Sequence, residues 1–265
     1  MLKVFQRLWQ VNWAEQWQYR ANLIMYLLYW LVSPIIYLAV WTSIAQSKGS
    51  VNGLTANDFV TYYMTLLIVD QITSNIVIHT FAYKVQDGSL SGELVRPIHP
   101  MLTNALVNNI AFKGLTIMGF IPVWIVLFFL YQPDFSSVTF TGILLAIPAM
   151  LMGFFVGFLL SAAISSLAFW TTRVYSIHEF YYALMLLFSG QFVPLTLMPK
   201  LIQDIAQFLP FQLLIYYPIQ LILGRLSSAQ IVQGYVTGII WLAVAIVVFN
   251  WVWRNGVKRY SAVGA

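Results

Sequence analysis

Between Asp134 and Arg173 the chain runs without a single charged side chain. The stretches between Arg20 and Lys48, Lys113 and Asp134, and Arg225 and Arg254 are likewise charge-free and largely apolar. A helix needs roughly 20 such residues to cross the hydrocarbon core of a bilayer, so these runs assign the chain to a membrane before any finer pattern is considered. Composition points the same way: 60% of the 265 residues are hydrophobic and 8% are charged, against about 45–50% and 25% in soluble domains. A soluble catalytic domain, a disordered segment, a collagen and a coiled coil are all excluded by those proportions.

The intervals between charges predict an all-α, polytopic integral membrane protein. It forms a single unit over residues 1–265, with six transmembrane helices at about 21–45, 59–83, 102–131, 140–172, 177–198 and 231–253. Residues 199–224 are apolar too, but Pro210 and Pro218 divide them into pieces too short to cross. They read as short re-entrant outer helices before the last span. With six spans, Lys3, Arg7, Arg20, Lys84, Arg96, Arg173, Arg254, Lys258 and Arg259 fall on one side, and Lys48, Lys200 and Arg225 on the other. Basic residues concentrate in cytoplasmic loops, so both termini are expected in the cytoplasm of a plasma membrane protein, in a bacterium the cell inner membrane. The formal charge of +5 then reflects topology. The basic residues sit at the ends of apolar runs and form no stripe, so nucleic acid is not an expected partner.

Residues 1–19 carry Leu2, Phe5, Trp9 and Trp13 on one helical face and Lys3, Arg7, Gln10 and Gln18 on the other. That pattern fits an N-terminal amphipathic helix at the membrane interface. On the fourth span Ala149, Gly153, Gly157, Ser161 and Ser165 recur every four residues, a groove of small side chains for close helix packing. No cysteine is present, so disulfides and thiolate chemistry are excluded.

Charges within spans are costly and therefore informative. Asp70 on the second span and Lys113 on the third lie about a dozen residues inside their helices, which places both roughly 18 Å deep. Opposite charges at matching depth on consecutive helices are expected to pair. Gln71, Asn75 and His79 share a face of the second span, and Asn104 and Asn108 share one of the third. These polar faces read either as the lining of a translocation path or as a satisfied interhelical network.

Several kinds of chemistry are missing. No G-x-x-x-x-G-K-[ST] loop, no G-x-S-x-G elbow and no H-E-x-x-H pattern occurs, and His79, His99 and His178 are far apart. The chain is expected to hold no catalytic residue, no metal and no cofactor. Residues 84–100 close the second span with KVQDGSLSGELVRPIHP, in which Gly88 and Pro97 bound a short helix that Asp87 and Ser89 can cap.

At this loop the sequence resembles the permease subunits of type-two, or export, ABC transporters of the uncharacterised or multidrug-type subgroup. Gly88 to Pro97 with Pro100 carries the first part of the resemblance. Val193-Pro194-Leu195, Met198-Pro199, Leu209-Pro210-Phe211, Tyr217-Pro218 and Leu223-Gly224 carry the second, and Trp253 to Gly264 the third, with Asn255 where the family has a basic residue. The resemblance implies a half-transporter: two such subunits, identical or paired with a related permease, and two cytoplasmic ABC ATPase subunits on which ATP and Mg would bind. It implies that residues 84–100 form a coupling loop docked on the ATPase, carried here by Ser89, Leu90, Gly92, Glu93, Leu94 and Arg96. The substrate, a small molecule or amphiphile, is not read from the sequence. An ion-coupled secondary transporter or channel without an ATPase is the alternative, since Asp70 and His79 are suited to relay protons or ions.

Overall fold

The computed structural model describes residues 2–18 and 20–260, with only the backbone described for Leu2, Val4, Phe5, Arg20, Asn22, Leu23, His79, Thr103 and Asn104. The described residues form an all-helical bundle, with one isolated β-bridge between Val51 and Leu54. Helices α1 (Leu2–Gln18), α2 (Arg20–Lys48), α3 (Ala56–Thr73), α4 (Val77–Gln86) and the single turn α5 (Ser91–Leu94) come first. A π-helical turn, Met101–Leu106, leads into α6 (Val107–Tyr131). Then follow α7 (Phe140–Ser166), α8 (Val174–Phe188), α9 (Lys200–Ala206), α10 (Tyr216–Ile222) and α11 (Ser228–Val257).

Among the described residues four helical stretches are long and apolar enough to cross a bilayer: Ile24–Lys48, Val107–Tyr131, Phe140–Phe169 and Ser228–Val257. Their outward faces carry Leu28, Tyr29, Val32, Phe129, Leu144, Val236, Ile239 and Val247, all exposed, as a lipid-facing surface requires. The chain is a multi-pass membrane protein. The second and fifth expected spans are not single straight helices. The second breaks at Ser74–Ile76 between α3 and α4, and the fifth is the 15-residue α8, after which the chain unwinds at Ser189.

Helix α3 explains both interruptions. It is buried from Phe59 to Leu67, wrapped by α2, α6, α7 and α10. Over that stretch it uses its polar groups on neighbours. The Tyr62 and Tyr63 hydroxyls donate to the carbonyls of Gly190 and Phe192, at 2.7 and 2.6 Å, and the Trp41 indole donates to the same Phe192 carbonyl. Backbone groups freed where α8 ends are thus satisfied inside the protein, as an unwound segment at membrane depth demands. Gly190 adopts a φ of +83°, and a Cβ there would lie 2.7 Å from the Tyr62 hydroxyl.

The small-residue groove on α7 receives the chain between α9 and α10. A Cβ at Gly153 would sit 2.4 Å from the Leu213 carbonyl oxygen, and one at Gly157 would touch Leu214 and Asn75. Ser161 is buried on the same stripe, its carbonyl accepting from the Ser165 hydroxyl. On the opposite flank α11 packs along α7, with Gly238 against Met152 and Gly256 against Phe169.

The N-terminal helix packs along α6. Trp9 and Trp13 stack on each other and cover Gly114 of α6, while the Gln16 amide donates to Asn108 at 3.0 Å. Contacts step backward along α6 as α1 advances, so the two run antiparallel and lengthwise. The tryptophan face meets a helix, because Gly114 leaves room for two indoles. The side chains of Leu2 and Phe5, assigned to that face, lie outside the described residues.

One end of the bundle gathers the connections after α2, α6 and α10. Arg225 pairs with Asp58 at 2.6 Å, Asn52 donates to the Thr196 carbonyl, and Thr61 bonds to the Asp134 backbone. Asp58 also closes a capping box with Thr55 at the start of α3. The other end gathers the loop after α4, the end of α7 and the end of α11, through Gln86 to the Thr172 carbonyl and Tyr260 to the Gly88 carbonyl.

Candidate functional site

Two places concentrate the polar residues singled out by sequence: the break in the second span, and the loop that follows it.

At the break, α3 ends with Thr73, and Ser74 turns to an extended conformation (φ −63°, ψ 161°). A helix that stops leaves its last carbonyls without intrahelical partners, and its dipole favours a cation there. Lys113 of α6 supplies both needs. Its ammonium donates to the Gln71 carbonyl at 2.8 Å and to the Ser74 hydroxyl at 3.2 Å, and it sits 5.5 Å from the Phe154 ring centroid on α7. The Gln71 amide donates to the Thr116 hydroxyl at 2.6 Å.

Direct pairing of Asp70 with Lys113 is not what the structure contains. The two charges lie within each other's field, yet they are absent from the four ion pairs within 4.0 Å among the described residues: Lys84–Glu93, His178–Glu179, Lys200–Asp204 and Arg225–Asp58. Lys113 is taken up by the end of the broken helix. From sequence the break was invisible, so a cap looked like half of an ion pair.

Gln71, Ser74, Asn75, Asn109, Lys113 and Thr116 line a crevice closed on the α2 side by Tyr26, Leu27 and Trp30. Its volume is about 10 Å³, the space of roughly one water. Asn109 is 1% exposed, and neither of its amide atoms has a protein hydrogen-bond partner; one bridging water would satisfy it. Asn108 points elsewhere, to Gln16 of α1. The side chains of His79 and Asn104 lie outside the described residues.

The loop after α4 is tightly tied. Gly88 turns the chain with φ +84°, and Asp87 accepts from the Ser89 N–H at 2.9 Å and from its hydroxyl at 2.7 Å. These bonds, the backbone one foremost, hold the Asp87 carboxyl below its ordinary range. Leu90 is fully buried against Phe81, Val85 and Met101, and Leu94 leans on the same cluster. Glu93 pairs with Lys84 at 2.7 Å with its side chain only 13% exposed. Leu90 and Glu93 therefore hold the loop to the bundle and offer little to a partner. What projects is Ser89, Gly92, Val95 (85% exposed), Arg96 and Pro97.

The same loop is fastened to the last helix, a contact that sequence reasoning missed. The Tyr260 hydroxyl donates to the Gly88 carbonyl at 2.8 Å, and the Tyr260 ring meets Phe169 edge-on. The His99 ring lies 4.5 Å from that of Trp253 and 6.1 Å from that of Phe249, with its Nδ1 accepting from the Met101 N–H at 3.2 Å. Burial pushes His99 below its ordinary pKa. The only sequence signal was aromatic density at both ends of a long separation. Of the C-terminal stretch that carried the resemblance, residues 261–264 lie outside the described residues.

Among the described residues no group of three His, Asp or Glu is placed to hold a metal ion. The cluster at the break is built from amides, hydroxyls, one lysine and a helix end, and the loop adds the Lys84–Glu93 pair and the Asp87 turn. No curated protein matches the chain. A family model, described as ABC-2 family transporter protein, matches residues 22–264. That match covers all four long apolar helices, the broken second span and its loop, and the chain accordingly belongs to the ABC-2 transporter family, as a membrane-embedded permease.

Proposed function

We infer that this chain is the transmembrane subunit of an ATP-driven exporter, forming half of a translocation pathway and taking its energy from separate cytoplasmic ATPase subunits. The family match over nearly the whole chain carries the reading, together with the lack of any phosphate-binding loop in these 265 residues. The six spans would be α2, α3 with α4, the π turn with α6, α7, α8 and α11, with α9 and α10 as outer re-entrant helices. The end that holds Arg96, Arg173 and Arg254 would face the cytoplasm, and the end that holds Lys48, Lys200 and Arg225 would face outward. A second copy of this chain, or a related permease, would complete the pathway in the inner membrane.

The coupling contact would be the projecting edge of the loop, Ser89, Gly92, Val95 and Arg96, backed from within by Leu90, Glu93 and Leu94. A force applied at Val95 would reach α4 through the Lys84–Glu93 pair and α11 through Tyr260 and His99. Through α4 it would act on the break at Ser74–Ile76, beside Asp70, Gln71, Asn75 and Lys113, where the pathway lining is placed in this reading.

Expression with an ATPase encoded beside this chain tests it. An unpaired charge at the centre of a docking surface costs about 2 kcal/mol or more, over tenfold in affinity. Val95→Asp is therefore expected to abolish ATPase co-purification or ATP-dependent efflux while the membrane region stays folded. Wild-type assembly and efflux in that variant would reject the coupling surface, and efflux without any ATPase would favour the ion-coupled alternative.

A further inference from the structure

Beside the contact of Phe169 with Gly256, the ends of α7 and α11 flank an open cavity of about 470 Å³. Leu167 and Trp170 form one wall; Trp251, Val252, Asn255, Lys258 and Arg259 form the other. On α11 the spacing 251, 255 and 258 puts an indole, an amide and an ammonium in line down one face. The indole lies about 10 Å further into the bundle than the ammonium.

The occupants of this cavity are chemically unbalanced. Among the described residues neither Lys258 nor Arg259 takes part in an ion pair. The Asn255 amide spends one N–H on the Trp251 carbonyl at 2.8 Å, leaving its second N–H and its oxygen for the cavity. Trp251 is 68% exposed and Trp170 38% exposed. Two cations and an amide thus share one hollow with two amphipathic rings and two aliphatic side chains. α11 has 30 residues, so it is about 45 Å long and its last turns emerge from an apolar core of about 30 Å into the headgroup layer.

We propose that this cavity binds the headgroup of an anionic phospholipid from the leaflet that meets this end of the bundle. Its phosphate lies between Lys258 and Arg259, Asn255 donates to a phosphate or ester oxygen, and the upper acyl chain lies against Trp251, Leu167 and Val252. Charge complementarity selects the anionic lipid over a zwitterionic one. The tryptophans select a lipid over a soluble phosphate, since their rings belong at the boundary of headgroup and acyl chain. The site needs only that the chain sits in a bilayer, and it stands or falls independently of any ATPase.

Fluorescence quenching tests it. The full chain is reconstituted into phosphatidylcholine vesicles in which an equal fraction of the lipid is brominated phosphatidylglycerol or brominated phosphatidylcholine. The signal of Trp251 is the part that Trp251→Phe removes. Brominated phosphatidylglycerol is expected to quench that part more strongly. Each cation removed is expected to lower the preference about fivefold, so Lys258→Gln with Arg259→Gln abolishes it, while Lys258→Arg with Arg259→Lys retains it. Millimolar glycerol phosphate in the buffer is expected to leave the quenching unchanged. Equal quenching by the two lipids, a preference that survives the double glutamine variant, or its loss in the charge-preserving variant would overturn the proposal. Relief of quenching by glycerol phosphate would overturn it in favour of a soluble phosphate.

Discussion

The two ends of α4 interrupt the same span and are held in opposite ways. Its inner end, at Ser74–Ile76, lies within the bundle beside a crevice with room for about one water. The closing group comes from another helix: Lys113 donates to the Gln71 carbonyl, and the Gln71 side-chain amide in turn donates to the Thr116 hydroxyl. Its outer end is closed locally, by the Asp87–Ser89 turn and the Lys84–Glu93 pair, with one strap from Tyr260. A break inside a membrane protein must be completed by tertiary partners, whereas a break at its surface is largely written in adjacent residues. α4, ten residues long, thus runs from a break capped by Lys113 to a loop gripped at the surface.

The sharpest way to break this contrast is to remove Lys113. Lys113→Met leaves the Gln71 carbonyl without its donor and Asp70 without a neighbouring cation, a loss of about 3–5 kcal/mol for an uncompensated buried charge. Asp70→Asn is expected to cost less, because Lys113 keeps its bonds to Gln71 and Ser74. Thermal unfolding in detergent distinguishes the outcomes. A lysine variant clearly worse than the asparagine variant, with a double variant that recovers only part of the loss, supports a helix cap. Equal single losses and full recovery in the double variant would restore the direct ion pair.

What the sequence disclosed follows the same division. Charge-free intervals located the four long helices, and Pro210 and Pro218 marked the short pieces, because both features act through the local chain. Gly88 and Pro97 located the loop for the same reason. The break at Ser74 carries no glycine or proline; its sole local hint is Thr73-Ser74-Asn75, residues that compete with helical hydrogen bonds. The resemblance put Leu90 and Leu94 among the docking residues of the loop, and their spacing fixes only that they share a face. Which way the face turns was decided by Phe81, Val85 and Met101.

The grip at the outer end is expected to weaken in two smaller steps. Leu90→Ala opens a hole in a site with no exposure, at about 2–5 kcal/mol, and should loosen residues 86–100 with the membrane helices intact. Tyr260→Phe removes one hydrogen bond to Gly88, about 1 kcal/mol. Hydrogen exchange across the loop reads both, with Leu90→Ala giving the faster exchange. Unchanged exchange in Tyr260→Phe would show that the strap contributes nothing to the grip.

The smallest expected effect is a dependence on pH at His99, where the loop meets α11. In the observed arrangement Nδ1 accepts the Met101 N–H, so the neutral ring carries its proton on Nε2, and a second proton would have to displace that bond. Burial already holds the group below its ordinary value of 6.5. Between that lowered value and 6.5 the unfolded loop binds more protons than the folded one, so attachment strengthens as pH rises. The contribution is complete above about 6.5 and is lost as pH falls through the window below it. Loop protection, corrected for the intrinsic pH dependence of amide exchange, should therefore fall as pH drops below about 6.5 in the unaltered chain and vary less in His99→Gln, whose amide oxygen can still accept from Met101. An identical pH profile in the two proteins would remove His99 from the grip and leave Trp253 and Phe249 to hold the loop by packing alone.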